Sequence, residues 1–304
     1  MSRILLEPWR NVPTAGQSGV AFLTTTRVYP NTLEAVVIKF ADLSANNTPL
    51  TKNLISRLVI KLGSSTKPIW DVTGDELNAI NRYEGRSDTP NVLTLPFSNI
   101  RARTVESQMI GALDFGEVGI REMTIELTST PPAGSTPSWS AWAEVSPPKL
   151  FGKGATQNLL FRALLRTPLT FTGALSRFPQ NIATAAQGGA LLRRLHFFSP
   201  GYTVAQVPNS NIVTSYEMRR DGVAFHEDTP FDCQAGVLDE WGQNPLANVY
   251  TFDAIMDDNE SKALAQVRAD QGGLSLIPVQ HLITTNGGGT FDAVADVFAN
   301  INGL

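Results

Sequence analysis

The stretch His226 to Trp241, HEDTPFDCQAGVLDEW, gathers one of the chain's three histidines and its only cysteine with five carboxylates, Glu227, Asp228, Asp232, Asp239 and Glu240. A cysteine beside a histidine is the pairing of a nucleophile with its base, and nearby carboxylates can orient the imidazole or serve as acids themselves. That chemistry needs the side chains within hydrogen-bond reach. Thr229 followed by Pro230 and Asp232 reads as a helix start, with the hydroxyl as cap, proline at the first helical position and an acid in the first turn. At 100° per residue Cys233, Val237, Leu238 and Trp241 share one arc with Phe231 at its edge, while Asp232 and Asp239 fall opposite. The arc predicts that Cys233 and Trp241 turn toward the core, the cysteine packing as a small hydrophobe. His226 precedes the cap and reaches the thiol only if its loop folds back, so no catalytic residue is assigned here.

Other reactive residues are more scattered. His196 in RRLHFF and His281 in PVQHL each stand alone in a strand pattern, and no HExxH, CxxC or GxSxG occurs. GKGAT (152–156) lacks the spacing of a phosphate-binding loop and NGGGT (286–290) does not join a strand to a helix, so both read as connections. The acids of DDNE, Asp257, Asp258 and Glu260, close a predicted strand and offer oxygen ligands for a structural Ca²⁺, without the EF-hand pattern. No other cofactor is expected. Trp139 and Trp142 lie on opposite faces of a regular strand and so cannot form a flat sugar platform; one is expected in the core and the other toward a neighbour.

Composition narrows the classes. At 304 residues with 42% hydrophobic content, the chain supports one large domain or two ordinary ones. The charged fraction of 17% is low, which leaves much of the surface to Ser, Thr, Asn and Gln or to contacts with other subunits. A net charge of −4 argues against broad nucleic-acid binding. One cysteine forms no internal disulfide, no apolar run approaches the ~18 residues of a membrane span, and Ile4–Leu5–Leu6 is too short for a secretory signal. The expected protein is soluble and folds in a cytoplasm.

The elements that must position these residues are mostly strands. Candidates are 19–26, 34–40, 56–62, 91–97, 121–127 and 139–145 in the first half, then 190–198, 212–220, 248–256 and 273–282 in the second; short strands with turn signals between them point to β-sandwiches. LLFRALLR (159–166) reads as a short helix or an extended connection. An internal repeat sharpens the reading. SRLVIKLGSSTKPIWDVTGDELNAINRYEG (56–85), followed by NVLTLPF, parallels the unit at 214–242, followed by NVYTFDA, and each reads strand, Gly turn, aromatic residue, helix, strand. Thr73 and Glu76 form a capping box in the first copy. A further pairing sets 111–127 beside 263–279. Pro, Gly and Ser in SPPKLFGKGATQ mark a linker, giving residues 1–150 as N-terminal arm and first domain and 151–304 as linker and second domain.

This combination resembles the double jelly-roll major capsid proteins of tailless, membrane-containing icosahedral bacteriophages, the corticovirus type in particular. The residues that carry the resemblance are the repeated units 56–85 and 214–242, the strands NVLTLPF and NVYTFDAIM after them, and the opening LLEPWRNVPTAGQSGVAFLTTTRVYPNTLEAVVIKF. It implies a mostly β chain of two tandem eight-stranded jelly rolls with a short helix in each. It further implies homotrimers of pseudo-hexagonal outline that tile an icosahedral shell around an internal membrane, in a virion made and assembled in the host cytoplasm. Penton and minor membrane-associated virion proteins and the internal lipid are the implied partners, with no specific nucleic acid. The N-terminal arm, Arg3, Ile4, Leu5, Leu6, Trp9 and Arg10, would meet the membrane or a neighbouring subunit, and Ca²⁺ binding in some relatives adds interest to DDNE. Two other readings stay open. A two-jelly-roll carbohydrate-active enzyme of the glycosidase type would draw its acids from Asp71, Asp75 and Glu76 or from Asp228 and Asp232, which otherwise read as helix N-terminal charge. A noncatalytic sugar-binding or host-attachment protein would need an exposed aromatic platform.

Overall fold

Strict alternation, as in MTIELTS, commits one face of a strand to a core: Met123, Ile125, Leu127 and Ser129 are buried while the residues between them are half-buried. The structure, a computed structural model, describes residues 2–44, 50–86, 89–117, 119–147, 159–184, 190–202, 212–265, 267–270, 273–276 and 279–300. GKGAT and most of the expected linker lie outside the described residues.

The chain divides into two compact units. One comprises the chain up to Asn81 with Arg86–Arg162, and the other Arg82–Gly85 with Ala163–Gly303. Along the first run β1 (Ser2–Leu5), β2 (Gly19–Thr24), β3 (Thr32–Asp42), β4 (Ile55–Leu62), β5 (Pro68–Val72), α1 (Gly74–Tyr83), β6 (Val92–Pro96), α2 (Val105–Met109), β7 (Leu113–Asp114), β8 (Met123–Ser129) and β9 (Pro137–Ser146). The strands pair antiparallel in the orders β1-β9-β3-β6, with β7 also on β3, and β2-β8-β4-β5.

The second unit repeats this order. It holds β10 (Leu160–Phe171), β11 (Leu175–Gln180), β12 (Ala190–Phe198), β13 (Val213–Arg220), β14 (Val223–Pro230), α3 (Phe231–Glu240), β15 (Val249–Asp253), β16 (Leu264–Ala265), the hairpin β17 (Val267–Asp270) and β18 (Gly273–Leu276), then β19 (Val279–Thr285) and β20 (Gly289–Asn300). Its sheets run β10-β20-β12-β15, with β16 on β12, and β11-β19-β13-β14. Every strand of the first unit thus has a counterpart with the same neighbours. The offset lies between 151 residues (Leu113 to Leu264) and 158 (Thr32 to Ala190). Eight strands in two four-stranded sheets with this connectivity make a jelly roll, and the chain carries it twice.

The helices repeat too, down to their last hydrogen bonds. Each ends at a glycine of positive φ, Gly85 (72°) and Gly242 (73°), a backbone region that only glycine enters without strain. Gly85 N–H donates to Arg82 O and Arg86 N–H to Asn81 O, while Gly242 and Gln243 donate to Asp239 O and Leu238 O, the two-bond Schellman closure in both copies. Their starts differ. At α1 the expected capping box forms: Thr73 N–H donates to Glu76 Oε2 (2.7 Å) and Glu76 N–H to Thr73 Oγ1 (3.1 Å). We expect Thr73→Ala to lower stability by about 1 kcal/mol in urea titrations and Thr73→Ser to keep most of it; an unchanged midpoint for the alanine variant would refute the cap's contribution.

At α3 the expected cap fails. Thr229 still belongs to β14, its hydroxyl donates to Glu227 O (2.7 Å), and Pro230 takes the cap position with no side-chain bond. Several strand readings also change. LLFRALLR is part of β10, residues 273–282 split into β18 and β19, and β5, β11, β14 and β20 were not among the candidates. The counterpart of β8 is β19 rather than 263–279, because the β17–β18 hairpin is an insertion without a first-unit equivalent.

Candidate functional site

The face that α3 buries is not the one the helical wheel favours. Phe231, Gln234, Ala235 and Leu238 are buried, an i, i+3, i+4, i+7 row, and Phe231 meets the Tyr250 ring at 6.0 Å. Cys233 is exposed, as are Val237 (39%) and Trp241 (49%). The wheel fixes which residues share a face. It does not fix which face meets the sheet, and here β15 below the helix selects the row containing Gln234. His226 sits in β14 with its ring against Phe252 (4.8 Å) and Tyr216 (5.7 Å). Burial lowers its pKa to about 4, against the opposing pull of Asp228 and Glu217. Asp228 accepts from Ser215 Oγ (2.6 Å), and Glu227, Asp232, Asp239 and Glu240 are exposed. An outward thiol and an inward imidazole do not make a catalytic pair.

The carboxylates of the glycosidase reading do not converge either. Asp71 is held by two nitrogens of the Arg57 fork (2.8 and 2.7 Å), Glu76 serves the α1 cap, and the Asp75 pKa is raised by burial, opposed by Lys52. Of the alternative pair, Asp228 accepts from Ser215 Oγ and Asp232 is exposed on α3.

Carboxylates do converge at the place of DDNE, on arginines rather than on an open metal position. Arg193 and Arg194 are consecutive in β12 and both are 1% exposed. On a regular strand they would face opposite ways, but the β12–β20 register shifts between Leu192 and Arg194, a bulge that re-aims the pair. Arg193 grips Glu260 with Nε and Nη2 (3.0 and 2.9 Å) and Asp296 with Nη1 (2.8 and 2.7 Å), its guanidinium lying over Phe298. Arg194 donates to Asp253 (2.8 Å) and Glu84 (2.8 Å), with Asp258 at 3.5 Å and the Tyr83 ring beneath it. Tyr83 in turn donates its hydroxyl to Asp253 (2.8 Å). Burial alone would lower both arginine pKa values; Asp296 and Glu260 for Arg193, and Asp253 and Glu84 for Arg194, drive them above the ordinary guanidinium value.

The three expected calcium ligands therefore each face a cation of the chain: Asp257 meets Lys262 (2.8 Å), Asp258 meets Arg194 and Glu260 meets Arg193. Among the described residues no group of three or more His, Cys, Asp or Glu is arranged to hold a metal. The two arginines escaped the sequence reading. Their signal was RR inside the otherwise apolar ALLRRLHFF, where a regular strand must bury at least one of them.

The N-terminal arm lies along its own unit. β1 pairs with β9, Arg3 grips Glu144 (3.1 and 2.8 Å), and Ile4 sits half-buried between Arg3 and the exposed Leu5. Leu6 and Trp9 turn inward, and Arg10 exchanges backbone bonds with Phe22. Trp9 meets Trp139 edge-on at 5.6 Å, and Trp139 meets Phe40 at 5.5 Å. Trp142 stands on the opposite face of β9, half-buried beside Arg3 and Val37 in a shallow pocket. The two tryptophans are separated as expected, and both are half-buried.

Comparison with known proteins adds the family. Residues 9–146 match the viral coat protein P2 N-terminal domain and residues 162–300 the viral coat protein P2 C-terminal domain. The fold is similar to that of the major capsid protein P2 from bacteriophage PM2, with a TM-score of 0.74 and 17% identity over 100% of this chain and 99% of that one. A chain of the Sulfolobus turreted icosahedral virus aligns with a TM-score of 0.62 and 12% identity, over 98% and 90% of the two chains. The PBCV-1 virus capsid aligns at 0.57 and 12%, over 98% and 92%. No curated protein matches the sequence.

Proposed function

The chain belongs to the viral coat protein P2 family through both of its domains, and from that premise we propose that it forms homotrimeric capsomers that tile an icosahedral shell around an internal membrane. As a member of that family it is a major capsid protein of the virion, a structural protein and not an enzyme. The observation that carries the finer reading is the duplication itself: one chain supplies two jelly rolls of identical connectivity, so three chains supply six and give a pseudo-hexagonal tile. The low charged fraction suits a surface spent largely on subunit contacts, and weak tile-to-tile contacts gain strength from multivalency in a closed shell. Penton proteins and minor membrane-associated virion proteins complete the proposed partner set, with the arm at Arg3–Arg10 serving subunit contacts.

Light scattering on the purified chain tests this. We expect an assembly of three times the 32.9 kDa chain mass, and co-sedimentation with lipid-containing particles from infected cells. A stable monomer at every concentration would remove the capsomer reading.

A further inference from the structure

The two jelly rolls are alike in fold and unlike in what they leave uncovered. Helix α1 is buried or half-buried along its whole length, whereas its repeat α3 exposes Cys233, Val237 and Trp241, spaced i, i+4, i+8 on one side. The sheets show the opposite contrast. In the second unit the outer face of β12 and its neighbours, Arg194, His196, Thr251 and Asp253, is buried. Part of its cover is the end of α1: the Tyr83 ring lies edge-on to His196 at 5.3 Å and Glu84 holds Arg194. In the first unit the equivalent face of the β1-β9-β3-β6 sheet carries exposed Arg3, Leu5 and Lys39 with half-buried Val37 and Trp142. Leu5 and Val37 are both register partners of Trp142, so the apolar part of that face is continuous.

Charge separates the two uncovered surfaces. Of the ten carboxylates between Asp221 and Ser261, Asp253, Asp258 and Glu260 are taken up by the buried arginines and Asp257 by Lys262, whose ammonium lies 5.9 Å from the Trp241 ring centre, which leaves six exposed acids, Asp239 and Glu240 among them. The exposed end of α3 presents Asp239, Glu240 and Trp241 immediately before Gly242, as Tyr83 and Glu84 stand before Gly85. On the first unit Lys39 is exposed on the equivalent face, where Arg3 holds Glu144, and along the chain Arg101 and Arg103 follow β6 at the spacing by which Asp258 and Glu260 follow β15.

We propose that the acidic end of α3 in one copy docks on the outer face of the β1-β9-β3-β6 sheet of a second copy, Trp241 seating beside Val37 and Trp142 while Asp239 and Glu240 meet Lys39 and the Arg101–Arg103 segment. The contact repeats between molecules what the end of α1 does on the second jelly roll's own sheet. It is heterologous, since each copy gives one surface and receives on another, and such a contact forms a ring when the rotation between copies closes. An aromatic anchor in a pocket with charges at the rim is the usual make-up of an interface centre. The inference rests on the capsomer reading and names the surface that would carry it.

The test uses the full chain in three charge-reversed forms with light scattering and thiol labelling of Cys233, the sole cysteine, which lies on the docking helix. Asp239→Lys/Glu240→Lys and Lys39→Glu/Arg103→Glu each place like charges at the contact. Each should weaken assembly by at least about tenfold per lost pair, and should leave Cys233 freely reactive where the wild-type assembly shields it. All four replaced residues are exposed, so the thermal melts of the monomers should match, and joining both sets in one chain should restore assembly and shielding. Wild-type-sized assemblies with shielded Cys233 in the α3 variant, or no recovery in the joined variant, would overturn this surface while leaving the capsomer reading intact. A wild-type chain that never assembles would instead remove the capsomer reading, and this contact with it.

Discussion

Replacing Arg194 by methionine is expected to cost about 3–5 kcal/mol and to unfold the second jelly roll or leave it barely folded. The guanidinium is 1% exposed and faces Asp253, Glu84 and Asp258, the first two at 2.8 Å. Methionine fills much of the volume but leaves those carboxylates buried near one another without their cation, and the cost of an uncompensated buried charge exceeds that of the lost bonds. Arg193→Met strands Glu260 and Asp296 in the same way, and these are buried even more completely. Urea unfolding followed by circular dichroism measures the loss, with two transitions to be fitted because the chain has two units. Lys262→Met is the control: its partner Asp257 is held by a lysine that is 53% exposed, and such pairs contribute ~0–1 kcal/mol. A second transition shifted no further by Arg194→Met than by this control would mean that no buried charge is stranded. A second arm separates charge from packing: adding Asp253→Asn and Glu84→Gln to Arg194→Met removes the stranded charges and should recover part of the loss.

The same arginines mark where the sequence stopped being legible. The duplicated unit could be read from 56–85 and 214–242 because local signals repeat there: β-branched runs, the Gly turn before each helix and the Asn-Val opening of the next strand. Each of these is a property of a few neighbouring residues. The site was not local. Arg193 and Arg194 reach partners at Glu84, Asp253, Asp258, Glu260 and Asp296, and only the bulge in β12 aims both guanidinium groups at them. A bulge leaves no residue signature in ALLRRLHFF beyond the crowding of two charges. In DDNE the carboxylates were legible, but the arginines that two of them face lay elsewhere in the chain. At α3 the helix was legible and its orientation was not, since periodicity groups Cys233, Val237 and Trp241 without saying whether sheet or solvent lies beside them. Strands β5, β11, β14 and β20 escaped for a related reason: Pro, Gly or charge within them imitates turn chemistry, and pairing with neighbours overrides it.

Acid should loosen the second jelly roll well before ordinary carboxylates titrate. Tyr216 lies between two imidazoles, its hydroxyl 2.6 Å from His281 Nδ1 and its ring stacked with His281 at 6.1 Å and facing His226 at 5.7 Å. Burial raises the Tyr216 pKa, so the phenol keeps its proton and shares a hydrogen bond with His281 Nδ1. Burial also lowers both histidines to about 4. With a folded pKa below the unfolded value of about 6.5, each histidine binds its proton more readily in the unfolded chain. Stability from this source is complete above pH 6.5, falls as the pH drops toward 4, and levels off below that. For His281, 2% exposed, the loss is on the order of 3 kcal/mol over that window, and His226 adds to it in the same direction. Urea midpoints of the second transition at pH 7, 6 and 5 should therefore decline steeply, while His281→Gln should start less stable at pH 7 and decline more gently. Equal slopes for the two proteins would mean that His281 is not the group being protonated. Because the docking helix α3 follows β14, the strand that carries His226, shells should lose subunits across the same pH interval rather than only near the carboxylate range.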